Sequence, residues 1–277
     1  MPVTRLATRR IEKVWGRRHL GLGFVDPEPG GEPIGEIWYQ SPDGAPDDLL
    51  VKYLFTSAKL SVQVHPDDDQ ARAAGHRSGK EECWLILEAE PDAAIGLGLT
   101  READSDELRA AALDGSIEGL LDWKPVKPGD VFYLPAGTVH AIGAGVTLVE
   151  VQQNVDLTYR LYDYGRPRDL HLDEAIGVAT GEPWQAPSEA RMQGTGRKIL
   201  AEGRKFVLER WGDTQCDLAP ADGRPIWLIP LEGGGRIGED LLEPGGVWIA
   251  EGSHPLDYRG DLLVAYPQGD VVEELTP

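Results

Sequence analysis

The amino-acid sequence predicts a mainly β protein built from two jelly-roll (double-stranded β-helix) barrels with a few short helices. Short apolar segments alternate with turns rich in glycine and proline, of which there are 34 and 21 among 277 residues, and this pattern is typical of many short strands. A weak internal repeat indicates two barrels. Residues 127–133 (KPGDVFY) are echoed by 243–249 (EPGGVWI), and 82–87 (ECWLIL) by 225–230 (PIWLIP), so a strand pair around a Pro-Gly turn occurs twice.

Residues 1–182 form the first predicted unit and contain the predicted helices. Three aspartates begin the segment 67–74, where carboxylates interact favourably with a helix dipole. Residues 104–121 carry apolar side chains at helical spacing, and Gly115 is expected to divide this segment. A further helix is predicted over 171–180, before Gly181 and Pro183. Strands are predicted over 35–39, 49–54, 59–64, 82–87, 93–99, 131–134 and 146–152.

Four residues of this unit carry the donor atoms of a metal site. Gln63 and His65 are two positions apart on an alternating segment, so both side chains leave one face of a strand. Glu82 begins the segment 82–87, and His140 follows the strand 131–134 after a Pro-Ala-Gly turn. Two imidazoles, one carboxylate and one amide oxygen can hold a divalent metal and leave a coordination position open, as in catalytic sites. Zinc suits these ligands, and manganese, iron or cobalt would fit nearly as well.

Residues 183–277 are interpreted as a degenerate second barrel without metal ligands. The polar segment 183–197, which contains Gly and Pro, is its linker. Pro225 stands where the repeat would place Glu82, and His254 falls near the His140 position without companion ligands. We expect this unit to stabilise or cover the first. Its strands are predicted over 206–211, 226–231, 247–250 and 262–266.

Candidates for phosphate binding lie beside the predicted ligands. Lys80 is two residues before Glu82 and therefore shares its face, and Ser61 shares a strand face with Gln63. A serine hydroxyl with a lysine or arginine makes a small phosphate-binding site. The alternative for Lys80 is an ordinary surface position.

A second group of polar residues follows the strand 146–152. Glu150 lies near the end of this strand and points either into the barrel or out of it. Asp156 and Arg160 come next, and two interpretations are open for them. They form a loop ion pair, or Arg160 stands at the barrel mouth as a cation that stabilises developing negative charge.

Composition excludes several classes of partner. The formal net charge of −20 disfavours nucleic acid and anionic membrane surfaces, so a pocket for an anionic substrate has to supply its own cations. The two cysteines, Cys83 and Cys216, exclude a disulfide framework. The N-terminal residues lack the apolar core of a signal peptide, and no run approaches a membrane span. We therefore expect a soluble, cytoplasmic protein.

Several strings together resemble the type I mannose-6-phosphate isomerases, in particular the short bacterial form. The resemblance extends over about residues 10–180, while the second unit fits in architecture more than in motif. It rests on LSVQVHPDD (60–68), KEECW (80–84), PAGTVHAI (135–142) and QQNVDLTYRLYDYGR (152–166), with VWG (14–16) and GEIW (35–38) in support.

The resemblance implies a cupin enzyme with one zinc ion per chain that interconverts mannose 6-phosphate and fructose 6-phosphate. It places the metal ligands on Gln63, His65, Glu82 and His140. The matching catalytic residues are Arg160, Glu150 and Lys80, and the matching substrate-binding residues are Ser61, Lys80 and Asp156. Gly79 stands where some members carry a histidine, which leaves the proton-transferring group open. Two alternatives are another metal cupin, either an iron dioxygenase or a different sugar isomerase, and a non-catalytic sugar-phosphate-binding protein.

Overall fold

The computed structural model describes residues 2–44, 47–194, 196–220, 222–272 and 275. The predicted mainly β class is confirmed. The strands in chain order are β1 (Val3–Arg5), β2 (Ala7–Arg17), β3 (Ile34–Gln40), β4 (Leu49–Phe55), β5 (Val62–Val64), β6 (Glu82–Ala89), β7 (Ala94–Leu99), β8 (Leu121–Pro125), β9 (Val131–Leu134), β10 (His140–Ile142), β11 (Val146–Gln153), β12 (Tyr159–Tyr162), β13 (Arg191–Gln193), β14 (Arg197–Glu202), β15 (Phe206–Trp211), β16 (Thr214–Leu218), β17 (Ile226–Ile237), β18 (Asp240–Leu242), β19 (Trp248–Ala250) and β20 (His254–Pro267).

The helices lie near the predicted positions. Helix α1 (Asp68–Ala73) begins at Asp67, whose side chain accepts a hydrogen bond from the backbone of Gln70 in a capping box. The predicted helical segment 104–121 is two helices, α2 (Ser105–Asp114) and α3 (Ile117–Leu120). Gly115 separates them with φ at 83°, a backbone conformation that glycine adopts readily. Helix α4 spans Leu172–Val178.

Antiparallel pairing joins the strands into three sheets. One sheet has the order β2-β3-β4-β11-β6-β9, and a second has the order β12-β5-β10-β7-β8. The third has the order β1-β19-β17-β20-β15-β14-β13, with β16 also paired to β20 and β18 to β17. The first two sheets carry the predicted site, and the third is built mainly from the C-terminal unit.

Three details differ from the expectation. The strand predicted over 59–64 is restricted to β5, and the segment predicted as a linker contains β13. In addition, β1 pairs with β19 of the C-terminal sheet. One apolar cluster includes residues of both predicted units, and the rings of Tyr133 and Phe206 pack within it with centroids 5.0 Å apart. The C-terminal sheet is therefore packed directly against the sheet that carries Glu82.

Among the described residues, no helix is both long enough and apolar enough to cross a membrane.

Candidate functional site

The strand register brings the predicted site residues together in two rows. In one sheet, Gln63 of β5 lies opposite both His140 of β10 and Arg160 of β12. In the other, Glu150 of β11 lies opposite both Lys52 of β4 and Trp84 of β6. Residues directly opposite each other on neighbouring strands share one face of the sheet.

Three buried residues could hold a metal ion. One donor atom from each of His65, Glu82 and His140 lies within 4.8 Å of the others. The Nε2 atom of His140 is 3.3 Å from Glu82 Oε1, and that of His65 is 3.6 Å from Glu82 Oε2. Each Nδ1 atom is 2.8 Å from a backbone carbonyl oxygen, that of Leu157 for His65 and that of Thr138 for His140. These contacts favour protonation at Nδ1, which leaves both Nε2 lone pairs directed at the cluster.

The electrostatics of the cluster keep both imidazoles ready to bind a metal. Burial lowers the pKa of His140 to about 4, and burial with the nearby Lys80 ammonium lowers the pKa of His65. Both rings are therefore neutral at neutral pH, which is the ligating form. Neither carboxylate oxygen of Glu82 receives a well-directed hydrogen bond from any group in the described part of the chain, although Lys80 Nζ is 2.6 Å from Oε2. The Lys80 ammonium lies against Oε2, and the remaining lone pairs of this buried carboxylate can bind a metal cation.

Gln63 completes the set of four predicted ligands. Its Nε2 atom is 3.2 Å from His140 Nε2, and its Oε1 atom is 3.4 Å from Ser61 Oγ. The oxygen and nitrogen of an amide exchange places by a half-turn about the last side-chain bond. The side chain therefore reaches the cluster, and the half-turn would direct its oxygen toward the imidazole of His140.

A second buried group of charges adjoins the ligands. Glu150 Oε1 is 3.0 Å from Lys52 Nζ and 3.8 Å from Lys80 Nζ, and Glu150 Oε2 accepts a hydrogen bond of 3.1 Å from Trp84 Nε1. Burial opposes ionisation, but the two ammonium groups and the indole hold the pKa of Glu150 below its ordinary value. Burial likewise opposes protonation of Lys80, whereas the carboxylates of Glu150 and Glu82 raise the pKa of Lys80. Lys80 is therefore a buried, charged residue of the site.

A cavity of about 670 Å³ opens onto this cluster. Every predicted substrate-binding or catalytic residue lies in its wall, and Gln63 reaches it as well. Six basic residues outnumber three acidic ones in the lining, so the cavity supplies local positive charge in a protein of net charge −20. The basic residues are Arg9, Lys13, Lys52, Lys80, Arg160 and Arg168, and the acidic ones are Glu36, Glu150 and Asp156.

The structure shows where Glu150, Arg160 and Asp156 lie, which the sequence left open. Glu150 points into the cavity. Arg160 is half-buried in the cavity wall, and its guanidinium donates to the backbone carbonyl of Asp169 at 3.3 Å. Asp156 shares the same wall.

Sequence reasoning missed Lys52 and Trp84 as members of the site. Lys52 is a lone charge inside the apolar strand β4, all of whose residues are buried, and a charge in such a position has to be paired. That signal could have identified Lys52. Nothing local in the sequence distinguishes Trp84 from a core tryptophan, because its role depends on a hydrogen bond to a residue 66 positions away.

The chain is similar to known enzymes in both sequence and structure, although no family model matches it. It is 42% identical over 229 residues to mannose-6-phosphate isomerase ManA of Bacillus subtilis, and the match covers 75% of this chain and 70% of that protein. It is also 42% identical over 199 residues to mannose-6-phosphate isomerase of Streptococcus mutans, which covers 68% of this chain.

The chain belongs to the mannose-6-phosphate isomerase family. The crystal structure of a mannose 6-phosphate isomerase from Bacillus subtilis matches the fold with a TM-score of 0.80 at 28% identity, covering 96% of this chain and 99% of that one. The resemblance inferred from the short motifs is thus confirmed. The region matched to the Streptococcus mutans enzyme spans 62% of that relative's own length.

Proposed function

We propose that this chain interconverts mannose 6-phosphate and fructose 6-phosphate in the cavity that contains Lys80, Glu150 and Arg160. The observation that carries the proposal is the cluster of His65, Glu82 and His140. It combines two neutral imidazoles with a buried carboxylate beside a cavity rich in basic side chains. Family membership supplies the substrate, and the local positive charge suits a sugar phosphate.

Gln63, His65, Glu82 and His140 are the proposed metal ligands. Their donors are nitrogen and oxygen, which suits zinc, with manganese, iron and cobalt as alternatives. When bound, a divalent ion supplies a Lewis acid that polarises the sugar carbonyl. The support is the short distances from both Nε2 atoms to Glu82 and the burial of its carboxylate among them.

The proton transfer is assigned to Glu150. In the open-chain aldose, a base removes the proton from C2 and returns it to C1, while the hydroxyl proton passes from O2 to O1. Through the enediol, the C1 aldehyde becomes an alcohol and C2 becomes the ketone, with no net oxidation. Glu150 is held in the ionised form by Lys52 and Lys80 and therefore has a lone pair for this proton. Lys80, the other candidate considered, lies between the carboxylates of Glu82 and Glu150 as an ammonium and has no lone pair for this proton. Arg160 is proposed to stabilise the negative charge of the intermediate.

The phosphate is assigned to the cationic wall of the cavity. Ser61, Lys80 and Asp156 are the proposed binding residues, with Asp156 accepting from sugar hydroxyls. The roles of Lys80 and Arg160 are exchangeable here, because either cation can pair with the phosphate while the other faces the reacting carbons.

The proposal also includes an assignment of the fold. We assign the sheets to two cupin-type barrels, with residues 1–182 forming the metal-binding unit and 183–277 a barrel without metal ligands. The support is the placement of the proposed ligands and catalytic residues on strands of the first two sheets, with His65 directly after β5 and Lys80 two residues before β6.

The test is a coupled assay for fructose 6-phosphate formed from mannose 6-phosphate, run before and after chelation and after metal is restored. We expect turnover that chelation abolishes and zinc restores, with about one metal ion per chain by elemental analysis. Oxygen consumption by the iron-loaded protein would instead favour a dioxygenase. Tight sugar-phosphate binding without turnover in any metal would favour a binding protein.

A further inference from the structure

The turn between β14 and β15 reaches from the C-terminal sheet to the segment that carries two site residues. We call Gly203, Arg204 and Lys205 the clamp turn. Arg204 Nη2 lies 2.9 Å from Glu81 Oε1, and Lys205 Nζ lies 2.7 Å from Asp68 Oδ2. Both acceptors belong to the first unit, and Glu81 stands between Lys80 and Glu82.

Glu81 connects the clamp turn to the site by strand alternation. Successive side chains of an extended chain point to opposite faces, so Lys80 and Glu82 face the metal cluster while Glu81 faces the C-terminal sheet. The Glu81 residue is 1% exposed. Its second oxygen accepts a hydrogen bond of 2.6 Å from Tyr133, and Arg204 supplies the opposite charge. A buried carboxylate is costly without such a partner.

Asp68, the partner of Lys205, holds the backbone on the N-terminal side of Lys80. Its Oδ1 atom accepts hydrogen bonds from the backbone of Gly79 at 2.9 Å and from Gln153 Nε2 at 3.0 Å. The Oε1 atom of Gln153 in turn accepts from the backbone of Glu81 at 3.0 Å. The ammonium of Lys205 therefore completes a network that fixes the backbone on both sides of Lys80.

The position of the clamp turn is set by close packing. A Cβ atom on Gly203 would lie 1.8 Å from the ring of Tyr133, so only glycine fits this approach. Tyr133 is also the residue that donates to Glu81. The turn thus contacts the first unit at three points within one small region.

We propose that the clamp turn positions Lys80 and Glu82, and that Arg204 and Lys205 are positioning residues supplied by the C-terminal unit. This inference rests on the proposed function, because it treats Glu82 as a metal ligand and Lys80 as an active-site cation. It gives the second unit a role in the reaction, although none of that unit's described residues lines the cavity. Partners that orient metal ligands typically change metal affinity or activity when removed.

The test uses the full chain loaded with zinc and compares three variants. Arg204→Ala/Lys205→Ala removes both ion pairs, and Arg204→Lys/Lys205→Arg keeps both charges. Arg210→Ala is the matched control, since it removes an ion pair with Asp261 elsewhere in the C-terminal sheet. The readouts are the rate of zinc release to a chromogenic chelator, kcat and KM for mannose 6-phosphate, and the unfolding temperature.

We expect the double alanine variant to release zinc about 10-fold faster and to lose about 10-fold in kcat, with a smaller change in KM. The charge-retaining variant should recover most of both values, and Arg210→Ala should match the wild type. The inference is overturned if the double alanine variant releases zinc and turns over substrate like Arg210→Ala, or if its losses only follow its unfolding temperature. A wild-type protein without isomerase activity would refute the proposed function, whereas zinc release would still test the clamp turn.

Discussion

Replacing Glu82 by glutamine tests the metal site through stability rather than activity. Glu82 is the one carboxylate among the four proposed ligands, and the other three are two neutral imidazoles and a neutral amide. Its nearest charged neighbour is the Lys80 ammonium, 2.6 Å from Oε2. Burial raises the pKa of Glu82, so the charged form is already disfavoured in the metal-free protein. Glu82→Gln relieves this burial cost but removes the ion pair with Lys80, so we expect it to lower the stability of the metal-free protein by up to about 3 kcal/mol. The rise in Tm on zinc addition is therefore measured from each variant's own metal-free value.

The metal-loaded protein should respond very differently. A ligand present at a hundredfold excess over its Kd stabilises the folded state by about 2.7 kcal/mol. For a chain of this size that corresponds to roughly 5–10 °C in Tm. If loss of the carboxylate weakens binding by about 100-fold, the same metal concentration equals the new Kd and contributes only about 0.4 kcal/mol, which is roughly 1 °C.

The assay is a thermal unfolding series on metal-free protein with added zinc. Glu88→Gln is the matched control, because Glu88 lies on the same strand β6 but contacts Thr147 rather than the cluster. The control should keep the wild-type rise in Tm. A full rise in Glu82→Gln would show that the carboxylate does not bind the metal, and the assignment of the site would be wrong.

Three further predictions follow from individual residues. Arg160→Ala should lower kcat/KM for mannose 6-phosphate by about 100-fold if Arg160 acts as one charge-stabilising donor. Arg166→Ala, which removes an ion pair with Asp163, should leave kcat/KM largely unchanged, and equal values in the two variants would refute the role of Arg160. Asp68→Asn should lower the free energy of unfolding by about 1 kcal/mol at pH 7, because burial is outweighed by hydrogen bonds that lower the Asp68 pKa to about 2. Because the pKa of Asp68 is lower in the folded state, its carboxylate stabilises the fold above the unfolded pKa near 3.8, and this stabilisation is lost as pH falls toward 2. The free energies of unfolding of Asp68→Asn and the wild type, measured by denaturant titration, should therefore converge near pH 2. A difference that stays constant with pH would contradict this cause. Gly203→Ala should destabilise the protein by about 1–3 kcal/mol because its Cβ meets a tyrosine ring. Gly212→Ala, whose Cβ meets no atom of the described residues within 4 Å, should have a free energy of unfolding near that of the wild type in the same titration.

Much of the site could be predicted because its residue types are chemically restrictive. Gln63 and His65 share a strand face by spacing alone, and the strings around Glu82 and His140 carry the family resemblance. The strand β12, which carries Arg160, was not predicted, because its four residues pair only with the three-residue strand β5. Short strands of this kind have little periodicity to detect.

The sequence by itself determined the mainly β class, the division of the 104–121 helix at Gly115 and the identity of the ligand candidates. These features depend on local alternation, glycine geometry and donor chemistry, all of which act within a few residues. Only the tertiary structure decided that Lys52 pairs with Glu150 and that Arg204 reaches Glu81. Those contacts join positions 98 and 123 residues apart, and they exist because sheet register and the packing of the C-terminal sheet place opposite charges side by side.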